Sequence, residues 1–84
     1  MHDFHEADRI HKIVLEEAKK NNLKIVKEIN LELGQVVEHG EEILAENLIF
    51  NIEMLNKGTV AEGAKINISK TGDNTWKLIS ISGE

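Results

Sequence analysis

The spacing of apolar residues changes period repeatedly along this chain, and each change restricts what the segment can become. From Phe4, apolar positions recur at Ala7, Ile10, Val14 and Ala18, with Ile13 and Leu15 beside them. That spacing predicts an amphipathic helix over about residues 4 to 21. Asp3 followed by Glu6 fits an acidic capping box at its start, and Asn21 and Asn22 supply the stop. Residues 24 to 33 switch to a period of two: Ile25, Ile29, Leu31 and Leu33 share a face that Lys27 interrupts, while Glu28, Asn30 and Glu32 point the other way. This is a strand with one wet face, ended by Gly34. A connection through Val36 and Val37 leads to a second helical pattern over about residues 39 to 56. There Leu44, Leu48, Ile52 and Leu55 form a stripe that Ile43, Phe50 and Met54 widen, which predicts the more deeply buried of the two helices.

Gly58 stands where a left-handed cap would close that helix, and Gly63 marks a turn. Residues 64 to 69 alternate with Ile66 and Ile68 inward, and residues 75 to 82 form a last strand in which Ile79 and Ile81 oppose Leu78, Ser80 and Ser82. Thr71, Gly72, Asp73 and Asn74 read as a hairpin turn between them. The expected fold is α+β, in the order α-β-α-β-β. Two helices should pack on one face of a three-stranded mixed sheet, because the strands have one apolar side each.

With 84 residues the chain should form a single domain over residues 1–84, burying ~60 per cent of its unfolded surface and leaving no room for a deep cleft. Function is therefore expected at a terminus, an edge or a partner surface. Only Phe4, Phe50 and Trp76 are aromatic, so the core must be aliphatic. The lack of cysteine rules out a disulfide framework, a cysteine zinc site and a thiol nucleophile. A net charge of -5 disfavours nucleic acid as a partner. Neither a signal-peptide pattern nor an apolar run of ~18 residues is present, so a cytoplasmic protein without membrane contact is expected.

The chemistry concentrates at MHDFHEAD. An imidazole at His2 can reach the same ion as the terminal amine and the intervening backbone nitrogens, a chelate that no internal histidine forms. Nickel(II) and copper(II) accept nitrogen donors in a square-planar arrangement. The Met1 amine, the main-chain nitrogens of His2 and Asp3, and the His2 ring make a coherent set, and the bulk of His2 keeps Met1 in place. Because the donors must lose protons, affinity should weaken steeply as pH falls. The Asp3 carboxylate is better suited to capping the helix than to binding metal.

Simpler readings fit the other polar residues. An arbitrary His2 would be a frayed, exposed end. His5 and Glu6 would share a helix face with His2, and a solvated face explains them as well as an extra ligand does. His11 and His39 have no recommending spacing. Glu38, Glu41, Glu42 and Glu46 cluster around the expected start of the second helix, where the dipole favours acids. Trp76 reads as a packing anchor on an edge strand. With Leu78 on the wet side, the two would form a small apolar patch suited to a partner or to self-association. The enzyme reading has no HExxH, no G-x-S-x-G and no phosphate-cradling glycine loop to support it, so the chain reads as a non-enzyme.

The element order, the MHD start with Phe4, Ala7, Asp8 and Ile10, Gly34 after the first strand and, above all, GTVAEGAKI from Gly58 to Ile66 resemble the HypA family of nickel metallochaperones. The resemblance covers nearly all of that family's nickel-binding domain. It implies the same ligand set at Met1, His2 and Asp3, and reverses the frayed-end reading of His2. It also implies a HypB-type GTPase as partner and the nickel-iron hydrogenase large subunit as eventual target. Two features depart from the family. Asp3 replaces the usual glutamate, and the family's zinc domain, with two CxxC pairs between the last two strands, has only Thr71 to Asn74 in its place, so nickel(II) is expected here and zinc is not. An alternative follows from those departures: a metal-free interaction module that docks to the GTPase without delivering nickel.

Overall fold

The computed structural model describes the backbone of residues 2–38 and 41–84 and the side chains of residues 5–37 and 42–84. In order, the elements are α1 (His2–Lys20), β1 (Val26–Leu33), β2 (Val37–Glu38), β3 (Glu41–Glu42), α2 (Ala45–Asn56), β4 (Lys65–Lys70) and β5 (Trp76–Gly83). The α+β architecture expected from the sequence is present: the two helices and one face of a three-stranded mixed sheet enclose a single aliphatic cluster. Ala7, Ile10, Val14 and Ala18 of α1 meet Ile29, Leu31 and Leu33 of β1, with Leu48 and Ile52 of α2 closing the cluster.

Strand order departs from a simple reading of the turns. The sheet runs β4-β1-β5, so β1 is central, parallel to β4 and antiparallel to β5. Thr71 to Asn74 is therefore not a hairpin turn; it belongs to a connection that crosses the end of β1. Gly34 N–H donates to the Thr75 carbonyl (2.8 Å), Gln35 N–H to Asp73 (2.7 Å) and Thr71 N–H to Leu33 (3.0 Å). A Cβ on Gly34 would lie 2.1 Å from the Asp73 carbonyl oxygen, so only glycine lets the connection pass this close.

Two register shifts between β1 and β5 reverse two expected orientations. Lys27 is the extra residue between the Val26–Gly83 and Glu28–Ser82 pairs, so Val26 is buried and Ile25 is exposed. Ile79 is the extra residue between the Asn30–Ser80 and Leu31–Leu78 pairs, so it faces water while Leu78 and Ile81 pack on the core. Each bulge adds one residue and flips the side-chain alternation beyond it. Across the wet face, Asn67 Nδ2 donates to Asn30 Oδ1 (2.9 Å) and Asn30 Nδ2 to Ser80 Oγ (3.0 Å), linking all three strands.

The second helix starts at Ala45, not near residue 39, because β2 and β3 pair as a separate small ribbon before it. Only Glu46 of the acidic residues lies in its first turn; Glu38, Glu41 and Glu42 are on the ribbon, and His39 lies outside the described residues. The expectation that α2 is the more buried helix is also reversed. It buries Leu48, Ile52 and Asn56, whereas α1 buries Glu6, Ala7, Ile10, His11, Val14 and Ala18.

The helix ends follow the sequence signals more closely. Asn22 adopts φ 57° after α1, Leu23 N–H reaches the Ala18 carbonyl (2.9 Å) and Asn22 N–H the Lys19 carbonyl (3.1 Å), which is a Schellman cap. Gly58 and Gly63 have φ 78° and 79°, as their positions predicted. Between them Thr59 Oγ1 donates to the Asn56 carbonyl (2.7 Å) and accepts from Ala61 N–H (3.1 Å), while Gly58 N–H donates to Glu62 Oε1 (3.1 Å). Val26 N–H donates to the Val60 carbonyl (2.8 Å), fastening this turn to the start of β1, and Ala61 and Ala64 are buried beneath it.

Candidate metal centre

The start of α1 lies over the opposite end of the sheet. Trp76, the first residue of β5, pairs with Leu33 beside Gly34, and its indole N–H donates to Glu6 Oε2 at 2.6 Å. Glu6 is only 4% exposed, and its other oxygen accepts from Arg9 (3.2 Å), whose guanidinium lies 5.8 Å from the centre of the Trp76 ring. A charged acceptor shared by two donors is a strong tether in a half-buried site. It holds the second turn of α1 against the end of the sheet where the 71–75 connection crosses.

This arrangement corrects three expectations. The helix begins at His2, so Asp3 lies inside its first turn and is not the cap residue, and the Glu6 carboxylate turns inward to Trp76 without closing a capping box. His5 is exposed, in keeping with a solvated face, whereas Glu6 is buried and does not lie on that face. Trp76 packs on the core as an edge anchor together with Leu78, and no wet-side apolar patch joins them. The sequence signal for the tether was Trp76 itself: a half-buried indole N–H needs an acceptor, although spacing alone does not identify one 70 residues away.

Asp8 and His11 are committed elsewhere, while His5 is exposed to solvent. Asp8 pairs with Lys12 at 3.0 Å. His11 is buried between the helices, with its Nδ1 at 2.8 Å from Asn56 Oδ1, a pairing that fixes α1 against the end of α2. Among the described residues no group of three or more His, Cys, Asp or Glu side chains could hold a metal ion. Met1 and the side chains of His2 and Asp3 lie outside the described residues. What the backbone provides there is chemical: the first N–H groups of a helix have no intrahelical acceptor, so the amides of His2 and Asp3 are not held in the helical ladder.

Comparison with known proteins matches the fold and the terminus to one family. A family model described as hydrogenase/urease nickel incorporation, metallochaperone, hypA, matches residues 1–76. The hydrogenase maturation factor HypA of Methanocaldococcus jannaschii is 40% identical over 73 residues, covering 81% of this chain and 56% of that protein. The HypA of Pyrococcus furiosus is 39% identical over 66 residues (79% of this chain, 45% of that protein). That of Thermococcus gammatolerans is 33% identical over 89 residues (96% and 61%). The chain thus spans about half the length of the curated relatives it matches. The solution structure of the Ni metallochaperone HypA from Helicobacter pylori superposes with a TM-score of 0.77 over 94% of both chains at 12% identity, a likeness of fold. With a family model matching residues 1–76 and relatives 33–40% identical over most of its length, the chain belongs to the HypA family.

Proposed function

We infer that this chain is a nickel(II) carrier for the maturation of a nickel enzyme such as nickel-iron hydrogenase, binding the ion at its first three residues. The Met1 amine, the main-chain nitrogens of His2 and Asp3, and the His2 imidazole are the donors. The observation that carries this reading is the family match beginning at residue 1, where a histidine follows the initial methionine. Two structural facts support it: Glu6, Asp8 and His11 are engaged in other bonds, and the amides of His2 and Asp3 are free of helical partners.

The amide N–H groups of a helix point in parallel along its axis, whereas an amine and two successive amide nitrogens must converge on one ion. Nickel capture therefore opens the first turn of α1. The Glu6–Trp76 bond limits that opening to the residues before it. Both amide nitrogens and the amine give up protons to the solvent, so affinity falls steeply as pH is lowered. The ion is cargo: a site built on a chain end suits release to a partner. The partner in this reading is a HypB-type GTPase, with the nickel-iron hydrogenase large subunit downstream in the cytoplasm. Among the described residues, no helix is long and apolar enough to cross a membrane.

Calorimetric titration of untagged protein with nickel tests the reading. His2→Ala should weaken binding by roughly 100-fold or more, about 2.7 kcal/mol, while leaving the melting temperature unchanged. Equal affinities would refute it. A second reading, docking to the GTPase without nickel delivery, draws on the absence of cysteine and on the short 71–75 connection. It gains if the GTPase is retained by a parent protein that has negligible nickel affinity, and is lost if no GTPase is recovered.

A further inference from the structure

Between residues 5 and 11 of α1 stand four side chains able to bind a metal ion: His5, Glu6, Asp8 and His11. Three of them have other partners. Glu6 is buried between Trp76 and Arg9, Asp8 pairs with Lys12, and His11 is fixed on Asn56 between the helices. His5 is exposed, and its ring has no hydrogen bond or ion pair among the described residues.

Its place in the helix says what it can reach. His5 directly precedes Glu6, whose bond to Trp76 holds the second turn of α1, so it stands at the border between the turn that opens and the turn that stays. Side chains on a helix lean toward its N-terminus and cover the turn before their own Cα. The turn before His5 is residues 2 to 4, which carries the amides of His2 and Asp3. Backbone positions 2 and 5 lie only ~4.5 Å apart along the helix axis.

The four terminal nitrogens fill a square plane, so a further donor must approach from above it. That position distinguishes one metal from another. A planar nitrogen set alone holds copper(II) more tightly than nickel(II), following the general order of divalent affinities, and selectivity has to come from geometry. Nickel(II) leaves its square-planar state to take a fifth nitrogen at full bond strength, whereas copper(II) binds donors above its plane weakly. We propose that the His5 imidazole is a fifth donor to the bound nickel and biases the chain end toward nickel against copper. The inference rests on the terminal chelate proposed above, and adds to it a residue and a metal preference.

X-ray absorption and magnetic susceptibility of the untagged full chain loaded with nickel(II) alone test this. Two imidazoles and a paramagnetic ion are expected in the parent. His5→Ala should still bind nickel, with one imidazole and a diamagnetic square-planar ion, and added free imidazole should restore the paramagnetic form. Calorimetry should show nickel affinity falling about tenfold in His5→Ala and copper affinity changing by less than about twofold. Circular dichroism should show the variant folded, as expected for an exposed position. One imidazole in the parent, an unchanged spin state in His5→Ala, or equal losses for nickel and copper would overturn the proposal. If His2→Ala abolishes binding while His5→Ala changes nothing, the terminal chelate stands and the fifth donor falls; if His2→Ala binds as the parent does, both fall.

Discussion

The two ends of the sheet divide the molecule's labour. At the start of β1, the turn from Gly58 to Ala64 is dense with backbone and side-chain hydrogen bonds and buried alanines, and carries none of the proposed metal donors. At the end of β1, α1 begins beside the crossing connection and holds its second turn down through Glu6 and Trp76. The stretch on which the resemblance in the sequence chiefly rests is thus scaffold, and the stretch that carries the proposed chemistry is a handful of residues at a chain end. Sequence specificity and chemical function sit roughly the length of an eight-residue strand apart. A densely bonded turn tolerates few substitutions because each residue satisfies a specific backbone group, while a chelate needs only an amine, two amides and one imidazole.

If that division holds, scaffold variants should lower stability while leaving nickel affinity unchanged wherever the protein remains folded. The largest effect is expected for Gly34→Ala, whose Cβ would meet the Asp73 carbonyl oxygen at 2.1 Å. Displacing the crossing connection should cost ~3 kcal/mol or more, read as a fall in the denaturant midpoint. Next is Trp76→Phe, which removes a donor from the buried Glu6 carboxylate and should cost ~2 kcal/mol. This variant sharpens the comparison, since it lies at the metal end yet touches no proposed ligand; a modest change in nickel affinity would show the tether bearing on the opening of α1. Thr59→Ala should lose ~1.5 kcal/mol in thermal melts, because its hydroxyl serves both the Asn56 carbonyl and Ala61 N–H. Gly58→Ala, at φ 78° with open space around its Cα, should lose only ~1 kcal/mol, from backbone strain. Nickel affinity that tracked these stability losses in the folded state would break the division.

Much of this was legible in the residues. The stripe Ala7, Ile10, Val14 and Ala18, the alternation through Ile29, Leu31 and Leu33, and the stops at Asn22, Gly58 and Gly63 are local signals, and the structure uses them as read. What escaped the sequence was non-local. A bulge adds one residue without changing residue types, so nothing in the alternation marked Lys27 or Ile79 as the point where inward and outward exchange. Thr71 to Asn74 has turn chemistry, but turn chemistry does not tell a hairpin from a crossing over a third strand. The ribbon of β2 and β3 is too short for any period to register, and its acidic residues Glu38, Glu41 and Glu42 read as the charged start of a helix, which extended the apparent start of α2. At the terminus the proposed donors rest on residue types alone, whereas the inward turn of Glu6 could not be read that way, because its partner lies at the other end of the chain.

The central claim, that nickel is held by the chain end and not by the scaffold, is tested most directly by adding one glycine ahead of Met1. That change keeps every side chain and every scaffold contact, and moves only the α-amine out of the chelate. Measured by calorimetry at fixed pH against the unextended, untagged protein, nickel affinity should fall by roughly 100-fold with the melting temperature unaltered. An extended protein that binds nickel as tightly as the parent would contradict the account.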